Sequence, residues 1–435
     1  MSVLALVPEV VLDATGVHRD LAVLLDPDDG TIDGLIGAAH APADAVRLPR
    51  TALAPGFVNG HSHSFQRDLR GRVERVSRLA PEDDFWTWRT AMYEAAGAKD
   101  PELIGDVARR CFAQMRNAGY TAVGEFHYVH HQPDGTPYAR PNALAEAVCE
   151  AAEDVGIRIV LLLTAYERGG FGRPPDEGQR RFCDPTVEAY LERLEALQQW
   201  AADRPLVTVG AAPHSVRAVS EAWLRRIAEH CADHDLVLHI HADEQPREIE
   251  ETLAATGLRP VELIERSGAL SHHTTIVHGT HCDDAEVALL AARGSTVCAC
   301  PSTEANLGDG YVPVARLQRA GVPVCVGSDS NTLLDPIVEL RELEHVARRS
   351  ALRRNVLVAE GDPGPAPYLL GCGWASGARA LGLPAPFVEA GAPADLIALD
   401  LSHPEIAGTA DEHLPAAIVM AGSAALVTRT WVAGR

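Results

Sequence analysis

The stretch VNGHSHSFQRD, residues 58–68, sets two histidines one residue apart at the end of an apolar run. On a strand, His61 and His63 point to the same side, because successive side chains alternate between faces. A chain with 19 histidines contains such pairs by chance, so the meaning of this one depends on what ends the other strands. Seven more strand-like runs follow it: TAVGEF (121–126), IRIVLLLTAY (157–166), LVTVGAAPHS (206–215), LVLHIHADE (236–244), TTIVHGTH (274–281), STVCACPST (295–303) and VPVCVGSD (322–329). With ALAPGFVNGHSH (52–63) they make eight. Helical stretches with acidic starts and glycine stops lie between them, as at 100–119 and 283–294. Strands alternating with helices specify a parallel α/β sheet. Eight strands with intervening helices suggest a (β/α)8 TIM-like barrel with insertions; an open doubly wound sheet would alternate in the same way.

Both termini depart from this pattern. Short β-like runs such as LAVLLDPDDGTI (21–32), ADLIALDL (394–401) and AALVTRTWVAG (424–434) occur there. They are expected to combine into a small β-sandwich domain, residues 1–54 with 385–435, beside a barrel of residues 55–384. The 46% hydrophobic and 23% charged content is that of a soluble globular protein. No apolar run is long enough for a membrane span, and the N-terminus has no secretory pattern. Nine cysteines without CxxC pairing fit reduced thiols in the cytoplasm, with Cys298 and Cys300 read as packing residues. A net charge of −22 argues against nucleic-acid partners. It also means that an anionic substrate must find local cationic groups.

The strand ends carry ionisable residues: His61 and His63, Glu125, His214, His241 and Glu244, His278, Glu304 and Asp329. In a barrel all these ends open on one face, where the active site sits. Three imidazoles (His61, His63, His241) and the carboxylate of Asp329 make a site for Zn²⁺ or another first-row divalent ion. Metal binding brings the pKa of water down to about 7. Glu244, three residues past His241, suits proton shuttling. Asp329 can take the water proton, and His278 can polarise the electrophile. His239 is expected to be a buried, hydrogen-bonded histidine, and Asp243 a solvated loop carboxylate. Arg67, Arg70, Arg72, Arg75 and Arg78 read as a solvated basic face; His130 and His131 are left open.

This arrangement resembles the amidohydrolase superfamily, and its His-x-x-Glu at 241–244 resembles the deaminase branch. HSHSFQRDLRG (61–71), DFWTWRTAMY (84–93), GEFHYVHH (124–131), PHSVRAV (213–219), HIHADEQ (239–245), STEANLGDG (302–310) and GSDS (327–330) are similar to segments of the formimidoylglutamate deiminase family. The resemblance implies hydrolysis of N-formimidoyl-L-glutamate to N-formyl-L-glutamate and ammonia, as in histidine degradation. It also implies one Zn²⁺ per chain on His61, His63, His241 and Asp329, with Glu244, His278 and Asp329 as catalytic groups. Substrate contacts implied are Gln66, Tyr128, His214, Arg217 and Arg89, the last reaching its own or a neighbouring subunit's site in a homodimer. Independently, Arg217 suits a carboxylate, which a guanidinium binds bidentately. Asn331 and Asp243 depart from the family's usual pattern and bear on fine specificity. Two other readings stand beside this one: a related deaminase acting on a nucleobase, amidine or guanidino compound, and a non-catalytic metal-binding assembly protein.

Overall fold

The computed structural model describes residues 4–74 and 85–435. Arg75, Arg78 and Asp84 lie outside the described residues. Eight parallel strands occupy the centre: Phe57–Ser62, Tyr120–His127, Arg158–Ala165, Val207–Pro213, Leu238–Ala242, Thr274–His278, Thr296–Ala299 and Val324–Val326. Each is hydrogen-bonded to the next in chain order. Their residues are buried almost without interruption, as expected of a parallel sheet covered on both faces. The seam between first and last strand is closed by a parallel bridge of Ser62 with Asp329. There the Asp329 N–H donates to His61 O at 3.0 Å and the His63 N–H to Asp329 O at 2.9 Å. The expected (β/α)8 barrel is therefore present, and all eight strand runs contribute to it.

One run is divided. ALAPGFVNGHSH is not a single strand, because Pro55 ends the strand Val46–Pro55 of a second sheet and Phe57 begins the barrel. Gly56 makes the handover. A Cβ there would lie 2.1 Å from the Thr121 side chain, so only glycine lets the chain pass. The second sheet has seven strands, five from the N-terminal region and Leu396–Asp400 and Val427–Trp431 from the C-terminal one. Leu396–Asp400 pairs antiparallel with Val46–Pro55, so the two ends of the chain build the small β-domain together.

Helices lie between successive barrel strands, and their ends follow local chemistry. Asp100 accepts from Leu103 N at 2.8 Å to start Pro101–Asn117, and Asp283 with Glu286 forms a capping box on Asp284–Arg293. Val277, Cys298, Cys300, Cys325 and Ala380 form a buried cluster of their own. Burial raises the Cys298 and Cys300 thiols well above their ordinary range, in keeping with packing residues. His239 is fully buried and hydrogen-bonds Ala380 O at 2.7 Å, as expected of it. No helix among the described residues is long and apolar enough to cross a membrane.

Gly327 sits at the seam. A Cβ on it would lie 2.8 Å from both the Cβ and the carbonyl oxygen of His61, atoms fixed by backbone pairing. Gly327→Ala should lower stability by about 1–3 kcal/mol, the ordinary cost of overpacking, read as a fall in denaturation midpoint. A midpoint equal to wild type would show that the seam can spread.

Candidate active site

The first strand delivers His61 and His63, the fifth His241, and the turn after the eighth Asp329. The Nε2 atom of His61 lies 3.1 Å from that of His63 and 3.2 Å from that of His241. The other ring nitrogens of two of them face backbone carbonyls: His63 Nδ1 is 2.8 Å from Phe126 O, and His241 Nδ1 is 3.0 Å from His214 O. A carbonyl only accepts, so each Nδ1 carries the proton and each Nε2 turns a lone pair inward. Burial lowers His61 to about 3 and holds His63 and His241 below the ordinary imidazole value, so all three rings are neutral. Asp329 Oδ1 completes the cluster, 3.6 Å from His61 Nε2 and 3.4 Å from His63 Nε2. Lone pairs facing one another at these distances are mutually repulsive without a cation between them. The residues therefore fit a divalent ion, and three imidazoles with one carboxylate suit Zn²⁺ or a similar first-row metal.

The other oxygen of Asp329, Oδ2, lies 3.7 Å from His278 Nε2, which is also 3.6 Å from Glu244 Oε1. His278 Nδ1 faces Glu304 Oε1 at 3.3 Å. Burial opposes a charge on His278, but the surrounding carboxylates of Glu244, Glu304 and Asp329 raise it to about 10. Burial raises Glu244 to about 7, with His278 opposing. Several of these residues need unusual backbone. Asp243, His278, Asp329 and Asn331 all have positive φ, between 45° and 72°, a conformation that non-glycine residues adopt at a cost and that clusters at functional sites.

Around this cluster runs a polar brace. Glu125 accepts from Ser62 Oγ at 2.8 Å and from both the N–H and Oγ of Ser64 at 2.6 Å. Burial raises its carboxyl to about 7, against these donors. Asn331 donates to His63 O at 2.9 Å and Asp329 O at 3.0 Å. Its departure from the family pattern thus falls on a residue that joins two metal-facing segments. Arg70 is not part of a solvated face: its Nε donates to Asn331 O at 2.6 Å. Asp243 is also not solvated. Its turn after His241 sends it into the wall, fully buried, 3.5 Å from Arg259 and 3.6 Å from Cys282 Sγ.

The pocket above the cluster is lined by Gln66, Arg89, Tyr128, His214 and Arg217 together with Glu244, His278 and Asp329. All five substrate-contact candidates thus line one pocket, Arg89 doing so within its own chain. Gln66 Nε2 donates to the Tyr128 hydroxyl at 2.9 Å. Arg89 Nε donates to the Tyr93 hydroxyl at 2.6 Å, and Arg217 Nε lies 3.8 Å from Glu248 Oε1. Burial, then the charge of Arg217, holds His214 well below the ordinary imidazole value, so it is neutral. The helix Phe85–Gly97, which carries Arg89 and Tyr93, is fastened by Arg181. That buried guanidinium donates to Ala96 O at 2.5 Å, Lys99 O at 2.8 Å and His131 O at 2.9 Å. His130 Nε2 lies 2.8 Å from Thr164 O and His131 Nε2 lies 3.7 Å from Asp184 Oδ1, both rings buried.

Sequence reasoning left Trp88, Met92, Tyr93 and Leu307 of the pocket wall unassigned, and gave no role to Glu125 and Glu304 beyond their place at strand ends. Position near a strand end was the one available signal for the two carboxylates.

Residues 52–435 match the amidohydrolase family. The chain is 39% identical to formimidoylglutamate deiminase of Pseudomonas aeruginosa, over 93% of this chain and 88% of that one. It superposes on a crystal structure of an amidohydrolase from Brucella melitensis with a TM-score of 0.90 and 33% identity, covering 100% of this chain and 94% of the other. An adenosine deaminase structure from Xanthomonas campestris with bound zinc gives a TM-score of 0.82 at 27% identity, over 99% and 92% of the two chains.

Asn331→Gly keeps the backbone freedom that the positive φ requires and removes only the side-chain amide. Metal affinity, measured by chelator competition, should fall by at least ~10-fold, the usual effect of losing an outer partner of a metal ligand. An unchanged affinity would remove Asn331 from the support of the site.

Proposed function

The chain belongs to the amidohydrolase family, and from that premise we propose that it hydrolyses N-formimidoyl-L-glutamate to N-formyl-L-glutamate and ammonia. Membership makes it a hydrolase of C–N bonds; the substrate is the step beyond. The observation that carries it is the charge layout of the pocket. Arg89 and Arg217 stand on the wall of a chain whose net charge is −22, while Glu244 and Asp329 occupy the metal side. A substrate with two carboxylates at one end and a basic amidine at the other matches both poles.

In this reading His61, His63, His241 and Asp329 hold one Zn²⁺ or a similar ion. When bound, it supplies Lewis-acid charge and makes water acidic enough to attack near neutral pH. Arg217 and Arg89 bind the glutamate carboxylates, and Gln66, Tyr128 and His214 orient the amidine carbon toward the strand ends. Asp329 divides its two oxygens: Oδ1 faces His61 and His63, and Oδ2, on the His278 side, takes the proton of the attacking water. Glu244, raised to about 7, exchanges protons readily at neutral pH and delivers one to the departing nitrogen. His278 Nε2, between Glu244 and Asp329, stabilises charge that builds on the attacked carbon's substituents.

We also take the enzyme to be a cytoplasmic homodimer with domain limits at 1–54 with 385–435 and at 55–384. Its nine unpaired cysteines support a reducing compartment. A nucleobase deaminase is the second reading, favoured by the aromatic and imidazole rings of Tyr128 and His214, 5.6 Å apart beside the pocket.

Ammonia release from N-formimidoyl-L-glutamate by the metal-loaded protein, abolished by chelator, is the expected result. A metal-loaded protein that releases ammonia from adenosine or a related base instead would transfer the assignment to the second reading. Glu244→Gln and Asp329→Asn should each lower kcat by at least ~10²-fold. Near-normal turnover in either variant would take that residue out of proton transfer. Arg217→Ala should act mainly on KM, and an unchanged kcat/KM would exclude it as a carboxylate clamp.

A further inference from the structure

We propose that Tyr93 is a specificity-determining residue of the pocket, its hydroxyl donating a hydrogen bond to one carboxylate of the substrate and accepting none from it. This deepens the substrate reading above and rests on it. Tyr93 stands four residues after Arg89 on the helix Phe85–Gly97, and both side chains line the pocket.

The donors around the Tyr93 oxygen decide what its proton can do. A hydroxyl oxygen accepts up to two hydrogen bonds and offers one proton. Both accepting positions are filled: Arg89 Nε donates at 2.6 Å and Gln179 Nε2 at 3.2 Å. Neither bond can be reversed. A guanidinium has no acceptor, and the amide of the buried Gln179 is fixed because its Oε1 accepts from the Asp176 N–H at 2.8 Å. The Tyr93 hydroxyl is therefore a donor only. Among the described residues its one acceptor in reach is the Tyr166 hydroxyl at 3.4 Å, longer than the about 2.5–3.0 Å of a good O–H···O bond. That oxygen already accepts from Gln179 Nε2 at 2.9 Å.

Arg89 also makes this donor stronger. Its guanidinium carbon lies 5.2 Å from the centre of the Tyr93 ring, and a cation donating to the phenol oxygen polarises the O–H bond. A polarised donor gains most from an anionic acceptor, since charge-assisted hydrogen bonds are about twice as strong as neutral ones. On N-formimidoyl-L-glutamate that acceptor is a carboxylate. The protonated amidine end carries only N–H donors and finds no acceptor at Arg89 or at the Tyr93 oxygen. Together the two residues admit the anionic end and refuse the cationic one, which fixes the direction in which the substrate lies.

Tyr93→Phe removes the hydroxyl and keeps the ring, which packs 5.6 Å from that of Phe182. On N-formimidoyl-L-glutamate the metal-loaded variant should show a KM at least ~10-fold higher, the scale of a lost hydrogen bond to a charged group, with a much smaller change in kcat. Two truncated substrates locate the contact: N-formimidoyl-4-aminobutyrate lacks the α-carboxylate, and N-formimidoyl-2-aminobutyrate lacks the side-chain one. With one of them wild type and variant should have the same kcat/KM; with the other the deficit should persist. An unchanged KM for the full substrate, or a deficit of equal size with both truncated ones, would overturn the proposal. Calorimetric titration with N-formyl-L-glutamate separates this from failure of the substrate reading. If wild type releases no ammonia yet binds that dicarboxylate at least ~10-fold more tightly than Tyr93→Phe, the assigned substrate falls and the Tyr93 contact stands. If it releases none and the two proteins bind alike or not at all, both fall.

Discussion

Two backbone hydrogen bonds between His61, His63 and Asp329 close the eight-stranded barrel, and the side chains of the same three residues point at one another inside it. Fold closure and site assembly are thus one constraint. A register slip of one residue along the first strand would reverse every side chain. It would take His61 and His63 out of the interior and turn Ser62 and Ser64, which offer no imidazole, toward Asp329 in their place. Gly327, Asn331 and Glu125 all serve this seam: the first by giving His61 room, the others by binding the segments on either side of it.

Charge is arranged in layers away from the seam. The three metal-facing histidines are neutral because burial makes them so. Next come carboxylates grouped about His278, with too few cations to balance them. The arginines stand on the pocket wall farther out. Burial, helped by the Asp329 and Glu248 carboxylates and opposed by His278, raises Glu244 to about 7, while Asp329, equally buried, is held below the usual carboxylate range by the imidazoles of His61, His278 and His63.

Much of this was readable in the chain. Strand ends carry their ionisable residues at fixed positions, so the eight strands and the convergence of His61, His63, His241 and Asp329 followed from periodicity and residue type. The handover at Gly56 did not, because both sheets bury their strands and an apolar run passes from one to the other without a change of pattern. Asp243 was misread because a left-handed turn, invisible to composition, sends it into the wall beside Arg259. Arg70 was misread because its contact with Asn331 depends on a loop path that no local signal encodes. Residues on regular strands announce their neighbours, and residues on loops do not.

The fastening of the helix Phe85–Gly97 has a separate consequence. Arg181 grips main-chain oxygens at its end, Ala96 and Lys99, and the loop at His131. Those oxygens belong to the backbone, so the anchorage is indifferent to which side chains the helix displays toward the pocket. A pocket-facing residue such as Arg89 can then be exchanged over evolutionary time without unseating the helix, while the chemistry at the strand ends stays in place. The scaffold separates what it recognises from what it does, and a new substrate preference can arise on one without disturbing the other.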